Sequence, residues 1–302
     1  MNLKAFFEKY RRVAIAFSGG VDSAYLLYAA KQYAEEVRAY YVNAEFQPRF
    51  ELEDALRLAR ELDIVVEGGT RPLGLDSSAE GGTRPRALDA SAERGTRPRD
   101  LKISVEEGER TQGLQARASM KILDLQVLSS REVRSNPANR CYYCKQGIFG
   151  AIWKAAKEEG FEVLLDGTNA SDDAGDRPGM KALRELQVLS PLRECGLTKD
   201  EIRTLSKEAG LFTWNKPAYA CLATRIPTGE EITQEKLQAT EAAESYLFSL
   251  GFTDFRVRSS QGNARLQLRE DQWELLIKHR REILAELSRY YKTVALDLVT
   301  RG

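Results

Sequence analysis

The feature that most constrains the fold is a short apolar run followed at once by a glycine-rich turn and a helical pattern. Residues 13–17 (VAIAF) are rich in β-formers and predict a buried strand, which the turn SGGVDS and a helix-spaced apolar stretch follow. Strand-like and helix-like segments continue to alternate at 38–43, 51–62 and 141–167. Such alternation is typical of an α/β protein, and it predicts a doubly wound parallel sheet.

A block of tandem repeats interrupts this pattern at residues 67–118. Each unit of 13 residues carries one leucine in register, and the four copies begin at Glu67, Glu80, Glu93 and Glu106. Units with so few large apolar groups bury too little surface to offset their ordering entropy, and their Gly, Thr, Arg, Pro and Ser are typical of loops. We therefore predict a disordered surface insertion, with an arginine-bearing interaction arm as the alternative.

From about residue 226 the order of the elements changes. A helical pattern that ends at Gly251 is followed by two alternating strand patterns, a second helix and a last strand. This order predicts a small C-terminal α+β domain. We therefore expect one domain over 1–215, interrupted by the insertion, and a second over 216–302.

Composition excludes several classes of function. The chain has 302 residues, with 45 Lys and Arg against 45 Asp and Glu, one His and four Cys. No apolar run reaches the roughly 18 residues needed to span a bilayer, and the first residues lack a signal-peptide pattern, so we expect a cytoplasmic protein without membrane association. The zero net charge argues against non-specific nucleic-acid binding. A single histidine excludes His-rich metal sites and leaves metal or nucleophile chemistry to Cys, Asp and Glu.

The turn SGGVDS combines the features of a phosphate-binding loop. Its glycines let a ligand approach the backbone, and the following helix presents N–H groups and a favourable dipole to phosphate. It lacks the lysine of a Walker A loop and the spacing of a dinucleotide fingerprint, and an ordinary capped turn is the alternative. The complete motif resembles the PP-loop of the ATP pyrophosphatases, which implies that it binds ATP and that Asp22 helps to hold Mg²⁺. The residues concerned are Ser18, Gly19, Gly20, Val21, Asp22 and Ser23.

A second glycine-bearing turn, DGTNASDD at 166–173, follows the strand pattern FEVLLDG. Ligands bind outside the carboxyl ends of strands in open α/β sheets, so this position predicts a part of the site. An ordinary Asx-rich turn is the alternative. The resemblance to PP-loop proteins implies that the adenosine of ATP lies near Gly167.

The cysteines include a pair and a separate loop thiol. Cys141 and Cys144 form a CxxC before a helical pattern, which is compatible with zinc, an iron–sulfur cluster or a redox dithiol. Cys221 lies in a loop beside Lys216 and Arg225. Those positive charges predict that the pKa of the Cys221 thiol is lowered.

Several motifs together resemble the LarE-type ATP-dependent sulfur transferases. They cover the chain outside 67–118 and are SGGVDS, NRCYYCK, DGTNASDDAGDRPGMKAL, SPLRECGLTKDEIR and KPAYACLATRIPTG. Members of that family make the thiocarboxylates of the nickel-pincer nucleotide, which serves lactate racemase and related enzymes. The resemblance implies an enzyme that uses ATP to adenylate a carboxylate of pyridinium-3,5-biscarboxylic acid mononucleotide and then replaces an oxygen by sulfur.

The resemblance also implies how the sulfur is handled. In one branch the thiol that matches Cys221 gives up its own sulfur, whereas a second branch has a CxxC and is similar to cluster-dependent thiolases. The CxxC favours the second branch, in which Cys141, Cys144 and Cys221 hold a [4Fe-4S] cluster with one iron open to sulfide. Cys195 is then a bystander. The sacrificial route, with a structural CxxC, remains the alternative.

Arginines of the C-terminal region are candidate substrate ligands. Arg256 and Arg258 alternate onto one face of a predicted strand, and guanidinium groups suit phosphate and carboxylate, although a solvated strand face is the alternative. The resemblance implies that they and Arg225 contact the nucleotide substrate. We expect a homo-oligomer whose C-terminal domain serves substrate binding and oligomer formation, and whose other partner is sulfide or another sulfur donor.

Two functions of other classes stay open at this point. A PP-loop tRNA thiolase also uses a CxxC and a further cysteine, but it needs a basic RNA surface, which the balanced charge does not support. A zinc-stapled module that only senses ATP is the non-enzymatic alternative. We therefore expect no nucleic-acid partner and favour the sulfur transferase.

Overall fold

The computed structural model describes residues 2–68, 116–172 and 177–301. The predicted insertion falls mostly on 69–115, which lie outside the described residues. In chain order the helices and strands are α1 (Leu3–Lys9), β1 (Arg12–Phe17), α2 (Val21–Tyr33), β2 (Glu36–Ala44), α3 (Arg49–Glu61), β3 (Val65–Gly68), β4 (Arg117–Leu125), α4 (Arg131–Arg134), α5 (Arg140–Glu158), β5 (Leu164–Leu165), α6 (Pro178–Glu185), α7 (Pro191–Glu194), α8 (Lys199–Glu208), α9 (Gln234–Ser249), β6 (Arg256–Ser260), β7 (Asn263–Gln267), α10 (Trp273–Leu287) and β8 (Thr293–Leu296).

In the described residues, five parallel strands form the central sheet in the order β3-β4-β2-β1-β5. β1 lies between two neighbours and is buried on both faces. Val13 and Ile15 belong to one apolar cluster, with residues of α1, α2 and α3, whereas Ala14 belongs to a second cluster, with residues of α5. The side chains of one strand thus alternate between two cores. This confirms the predicted α/β fold with a doubly wound parallel sheet.

The edge of the central sheet differs from the sequence prediction. The sequence analysis does not predict β4, which pairs with β2 along its whole length. The predicted insertion 67–118 is too long at both ends, because Glu67 lies in β3 and Arg117 in β4, where strand pairing orders them. Glu67 Oε1 also accepts a hydrogen bond from Arg38 Nη1 at 2.8 Å. This bond joins the end of β3 to β2 across the strand β4, which lies between them.

A smaller mixed sheet stands at the C-terminal end of the described chain. β6 pairs antiparallel with β7, and β7 pairs parallel with β8. With α9 and α10 these strands enclose a separate apolar cluster that includes Phe252, which confirms the expected small α+β unit. The chain before α9 packs on the first unit through Leu222 and Ile226. The exact division into 1–215 and 216–302 therefore stays a prediction.

Helix α5 carries the CxxC in its first turn and runs beneath the central sheet. It buries Ile152 and Ala156, whereas Lys154 and Lys157 are exposed, so the helix has one apolar and one charged side. Neither α5 nor another helix of the described ranges is both long and apolar enough to cross a membrane.

Candidate nucleotide and thiol site

The SGGVDS turn leads from the carboxyl end of β1 into α2. Gly19 has φ +77°, a left-handed conformation that favours glycine. Ser18 Oγ and Ser23 Oγ lie 3.0 Å apart, and Ser23 Oγ donates to Gly20 O at 3.1 Å. The described structure shows no side-chain cap on the N-terminus of α2. The first N–H groups of this helix therefore suit a phosphate.

Gly167 packs directly against this loop. A Cβ at position 167 would lie 2.9 Å from Ser23 N and 3.2 Å from Ser23 Cα, closer than side chains approach a backbone. The preceding Asp166 accepts a hydrogen bond from Ser190 Oγ at 2.6 Å, which fixes the start of the turn. Glycine at 167 is thus required by the approach of two backbones. The predicted contact of Gly167 with adenosine stays a prediction.

We expect Gly167→Ala to weaken ATP binding, because the new methyl group pushes the backbone at Ser23 out of place. Overpacking of this kind costs typically about 1–3 kcal/mol, which corresponds to a loss of roughly five- to 150-fold in ATP affinity if the whole cost falls on the phosphate-binding loop. Titration calorimetry with ATP measures the change. Gly147→Ala is the control, because a Cβ there meets nothing within 4 Å. Equal ATP affinity of the two variants would contradict the role of this contact.

A lysine that sequence reasoning does not single out lies beside the loop. Lys199 Nζ is 2.6 Å from Asp22 Oδ2, and Asn169 Nδ2 donates to Asp22 Oδ1 at 3.3 Å. Lys199 is the first residue of α8, whose N-cap Thr198 forms a capping box. The expected ligand of Mg²⁺ therefore already faces a cation. The motif CGLTKDEIR contains this lysine, but only the tertiary fold brings it to Asp22.

A second lysine, Lys216, ties the loop to the chain that carries Cys221. Its side chain is 5% exposed, and Nζ lies 2.8 Å from Glu51 Oε2 and 2.7 Å from Asp54 Oδ2. Nζ also donates to Gly19 O at 3.2 Å. One buried cation thus holds α3, the phosphate loop and the thiol-bearing chain together.

A cleft of about 350 Å³ joins the loop to Cys221. The predicted loop residues in its wall are Ser18, Gly20, Val21 and Asp22. Lys199, Lys216 and Cys221 line the same space, whereas Cys141 lines a separate cavity of about 380 Å³. The phosphate-binding loop and Cys221 therefore line one cleft.

The three predicted sulfur ligands are free thiols. Cys144 and Cys221 pack against the same apolar cluster. Burial, followed by electrostatic repulsion from the nearby Cys221 and Cys141, raises the pKa of Cys144 to about 12. Arg140 Nη2 lies 3.9 Å from Cys141 Sγ. Cys195 packs against the other cluster and does not line the cleft, and its role as a bystander stays a prediction.

The expected lowering of the Cys221 pKa is wrong. Burial of the thiol raises its pKa, and the opposing effects of Arg140 and Arg225 are smaller. The charge of Lys216 is balanced by Glu51 and a second carboxylate, so it does not act as a free cation. The sequence shows that basic residues are near the thiol, but not that the thiol is buried.

A metal cluster can bind only where enough ligand side chains lie close together. Among the described residues, no three or more Cys, His, Asp or Glu side chains stand close enough together to hold a metal ion. The donor chemistry does fit, because thiolates are the usual ligands of iron–sulfur clusters and three free thiols lie in one region. The cluster on Cys141, Cys144 and Cys221 stays a prediction that requires these side chains to turn towards one another.

The three predicted substrate arginines come together around the thiol-bearing chain. Arg225 is fully buried, and its Nε lies 2.9 Å from Glu244 Oε1. Burial, and then the nearby charges of Arg225 and Arg301, lower the pKa of both Arg256 and Arg258. Contact of these side chains with a substrate stays a prediction.

The parallel sheet and the SGGVDS loop after its first strand define a Rossmann-like protein of the PP-loop class. No family model matches the chain. An uncharacterised protein of Synechocystis sp. is 31% identical over 281 residues, which cover 92% of this chain and 84% of the relative. An uncharacterised protein of Methanocaldococcus jannaschii is 30% identical over 177 residues, which cover 58% of this chain and 69% of the relative.

A third relative has a named activity. The pyridinium-3,5-bisthiocarboxylic acid mononucleotide synthase of Lactiplantibacillus plantarum is 29% identical over 270 residues. The match covers 89% of this chain and 78% of the synthase. The chain belongs to the PP-loop family that includes this synthase.

Proposed function

We propose that this protein is an ATP-dependent sulfur transferase that converts a carboxylate of pyridinium-3,5-biscarboxylic acid mononucleotide into a thiocarboxylate. The observation that carries the proposal is the cleft that holds Cys221 beside the SGGVDS loop. The name of the Lactiplantibacillus plantarum relative supports the product. A carboxylate oxygen is a poor leaving group and needs activation before sulfur replaces it. A phosphate loop and a thiol in one cleft meet that need.

The first step is adenylation of the carboxylate. A carboxylate oxygen attacks the α-phosphorus of ATP, the bond to the β-phosphate oxygen breaks, and pyrophosphate leaves. The N-terminal N–H groups of α2 and the ammonium group of Lys199 stabilise the charge on the leaving phosphates. When bound, Mg²⁺ neutralises phosphate charge, and Asp22 is the side chain suited to hold it in exchange for Lys199.

The second step is attack by sulfur. Hydrosulfide delivered at the Cys221 side of the cleft attacks the acyl carbon, AMP leaves with the bonding electrons, and the sulfur proton passes to solvent. A [4Fe-4S] cluster on Cys141, Cys144 and Cys221 would supply an iron that binds hydrosulfide. Cys221 is the member of this set that lines the cleft, so its position decides where sulfur meets the adenylate.

Anaerobic reconstitution with iron and sulfide tests the proposal. ATP and the biscarboxylic nucleotide are then added, and we expect pyrophosphate, AMP and thiocarboxylate in equal amounts. Metal analysis of anaerobically purified protein should find about four irons per chain, as a [4Fe-4S] cluster requires. Thiocarboxylate without iron would reject the cluster but keep the transferase. Absence of product from the fully reconstituted protein would reject the function.

Intact mass separates the cluster route from the sacrificial one. Loss of hydrogen sulfide from a cysteine lowers the mass of the chain by about 34 Da, whereas a cluster-bound route leaves every cysteine intact. We expect no change of mass after multiple turnovers. A loss confined to the peptide that contains Cys221 would assign the sacrificial route to this chain.

A further inference from the structure

Cys221 stands at the centre of residues 218–224, which we call the thiol segment. Arg256 Nη2 donates to the first carbonyl oxygen of this segment at 3.0 Å, and Arg258 Nη1 donates to the last at 2.6 Å. These carbonyls lie three residues before and three residues after the thiol. Because alternate residues of a strand point to one face, a single face of β6 spans the segment.

A third arginine, Arg225, holds the segment from its own end. Its Nη1 donates to Ala220 O at 2.8 Å, while Nε and Nη2 lie 2.9 and 3.0 Å from the two carboxylate oxygens of Glu244. These side chains are buried, with exposed fractions of 0% and 1%. Glu244 also accepts from Val257 N at 2.9 Å and from Tyr219 Oη. Together, α9 and β6 therefore fix the orientation of this guanidinium.

The two strand arginines direct their donors at the protein itself. A second donor of each is bonded as well, to a main-chain carbonyl at 2.6 Å and to a glutamine side chain at 2.7 Å. A planar guanidinium with two fixed acceptors holds each of them in place. We infer that Arg256 and Arg258, together with the Arg225–Glu244 pair, are positioning residues that fix the Cys221 thiol through main-chain carbonyls of the thiol segment.

By this assignment, β6 of the C-terminal unit positions the thiol that takes part in sulfur delivery. Its sheet holds both ends of the thiol segment, which also packs through Leu222 against the apolar cluster that contains residues of α5. Misplacement of a reacting group by about 1 Å can cost roughly a hundredfold in rate, so such positioning matters for the transfer step. The inference rests on the proposed function for its chemistry, but the order of the thiol segment is measurable without turnover.

Arg258→Gln tests the assignment, because it removes the bond at one end of the thiol segment. We expect amide hydrogen exchange at residues 218–224 to become at least about tenfold faster. In the reconstituted enzyme, kcat for thiocarboxylate should fall by about a hundredfold, and KM for the biscarboxylic nucleotide should stay within about twofold. Arg258→Lys keeps the charge but loses the planar guanidinium with its two fixed donors, so we expect it to restore little of the lost kcat.

Arg265→Gln is the matched control. Arg265 lies opposite Arg258 in the register of β6 and β7, and its side chain is 59% exposed. We expect neither exchange at 218–224 nor kcat to change in this variant.

The competing role for Arg258 is that of an anion ligand. A raised KM with unchanged exchange, or full rescue by Arg258→Lys, would show that it binds the substrate and would overturn the inference. If Arg258→Gln does not fold, Arg258→Lys alone gives the same two readouts. Faster exchange in the variant, combined with a wild type that forms no thiocarboxylate, would support the positioning and reject the proposed function instead.

Discussion

Cys221→Ala is expected to lower thiocarboxylate formation by at least roughly a thousandfold while pyrophosphate release from ATP continues. The reason is that Cys221 is not one of the groups proposed to bind phosphate, although it lines the same cleft. The SGGVDS loop, Lys199 and Lys216 stay in place in the variant, so the carboxylate is still adenylated. Liquid chromatography of the products with mass detection, alongside a pyrophosphate assay, measures the two steps separately.

Variants at the other cysteines sharpen this test. Cys195→Ala should behave as the wild type, because Cys195 does not line the cleft. Cys141→Ala and Cys144→Ala should lose iron and thiocarboxylate together if these thiols belong to the site. Retention of thiocarboxylate by Cys221→Ala would show that the sulfur reaches the adenylate elsewhere, and full activity of the CxxC variants would remove that pair from the site.

Lys216→Met is expected to lower the free energy of unfolding by about 3–5 kcal/mol, since it removes the cation of a buried charge cluster. Lys216 is 5% exposed, and its carboxylate partners Glu51 and Asp54 are 10% and 14% exposed. The variant also loses the bond to Gly19 O, which holds the phosphate loop. ATP affinity should therefore fall together with stability. Urea unfolding and titration calorimetry measure the two effects.

Two further variants serve as controls for this effect. Lys236→Met breaks a more exposed pair, with Nζ 2.9 Å from Glu230 Oε1, and should cost no more than about 1 kcal/mol. Adding Glu51→Gln to Lys216→Met removes one of the carboxylates and should restore part of the lost stability. Wild-type unfolding of Lys216→Met would show that the cluster does not stabilise the fold.

The fold was largely predictable because its signals are local. The β-rich run at 13–17 and the SGGVDS turn are adjacent in the chain, and they form β1 and the start of α2 as expected. The strand expected at 161–167 shortens to Leu164–Leu165, the only described positions of that stretch that pair with β1. β4 was missed although only its first two residues, Arg117 and Ala118, lie in the last repeat unit. Met120 and Ile122 alternate as buried residues in the rest of the strand, a pattern from which it could have been predicted.

The site was predictable only where a motif is contiguous. The loop and Cys221 stand out separately, but their common cleft depends on the tertiary fold. Lys199 and Lys216 lie 177 and 197 residues from their partners in the loop, and no local pattern indicates such contacts. The pKa of Cys221 was mispredicted for a related reason, since the sequence shows nearby charge but not desolvation.

The buried Arg225–Glu244 pair has a consequence for how this family of sequences can change. Many buried ion pairs can be exchanged for apolar side chains of similar volume without loss of stability. Here Glu244 also accepts hydrogen bonds from Tyr219 Oη and Val257 N, and Arg225 donates one to Ala220 O. Replacing one member leaves a buried charge, and replacing both leaves those three polar groups without their present partners. We therefore expect this pair to persist among related sequences, because replacing either member, or both, gives a less stable protein.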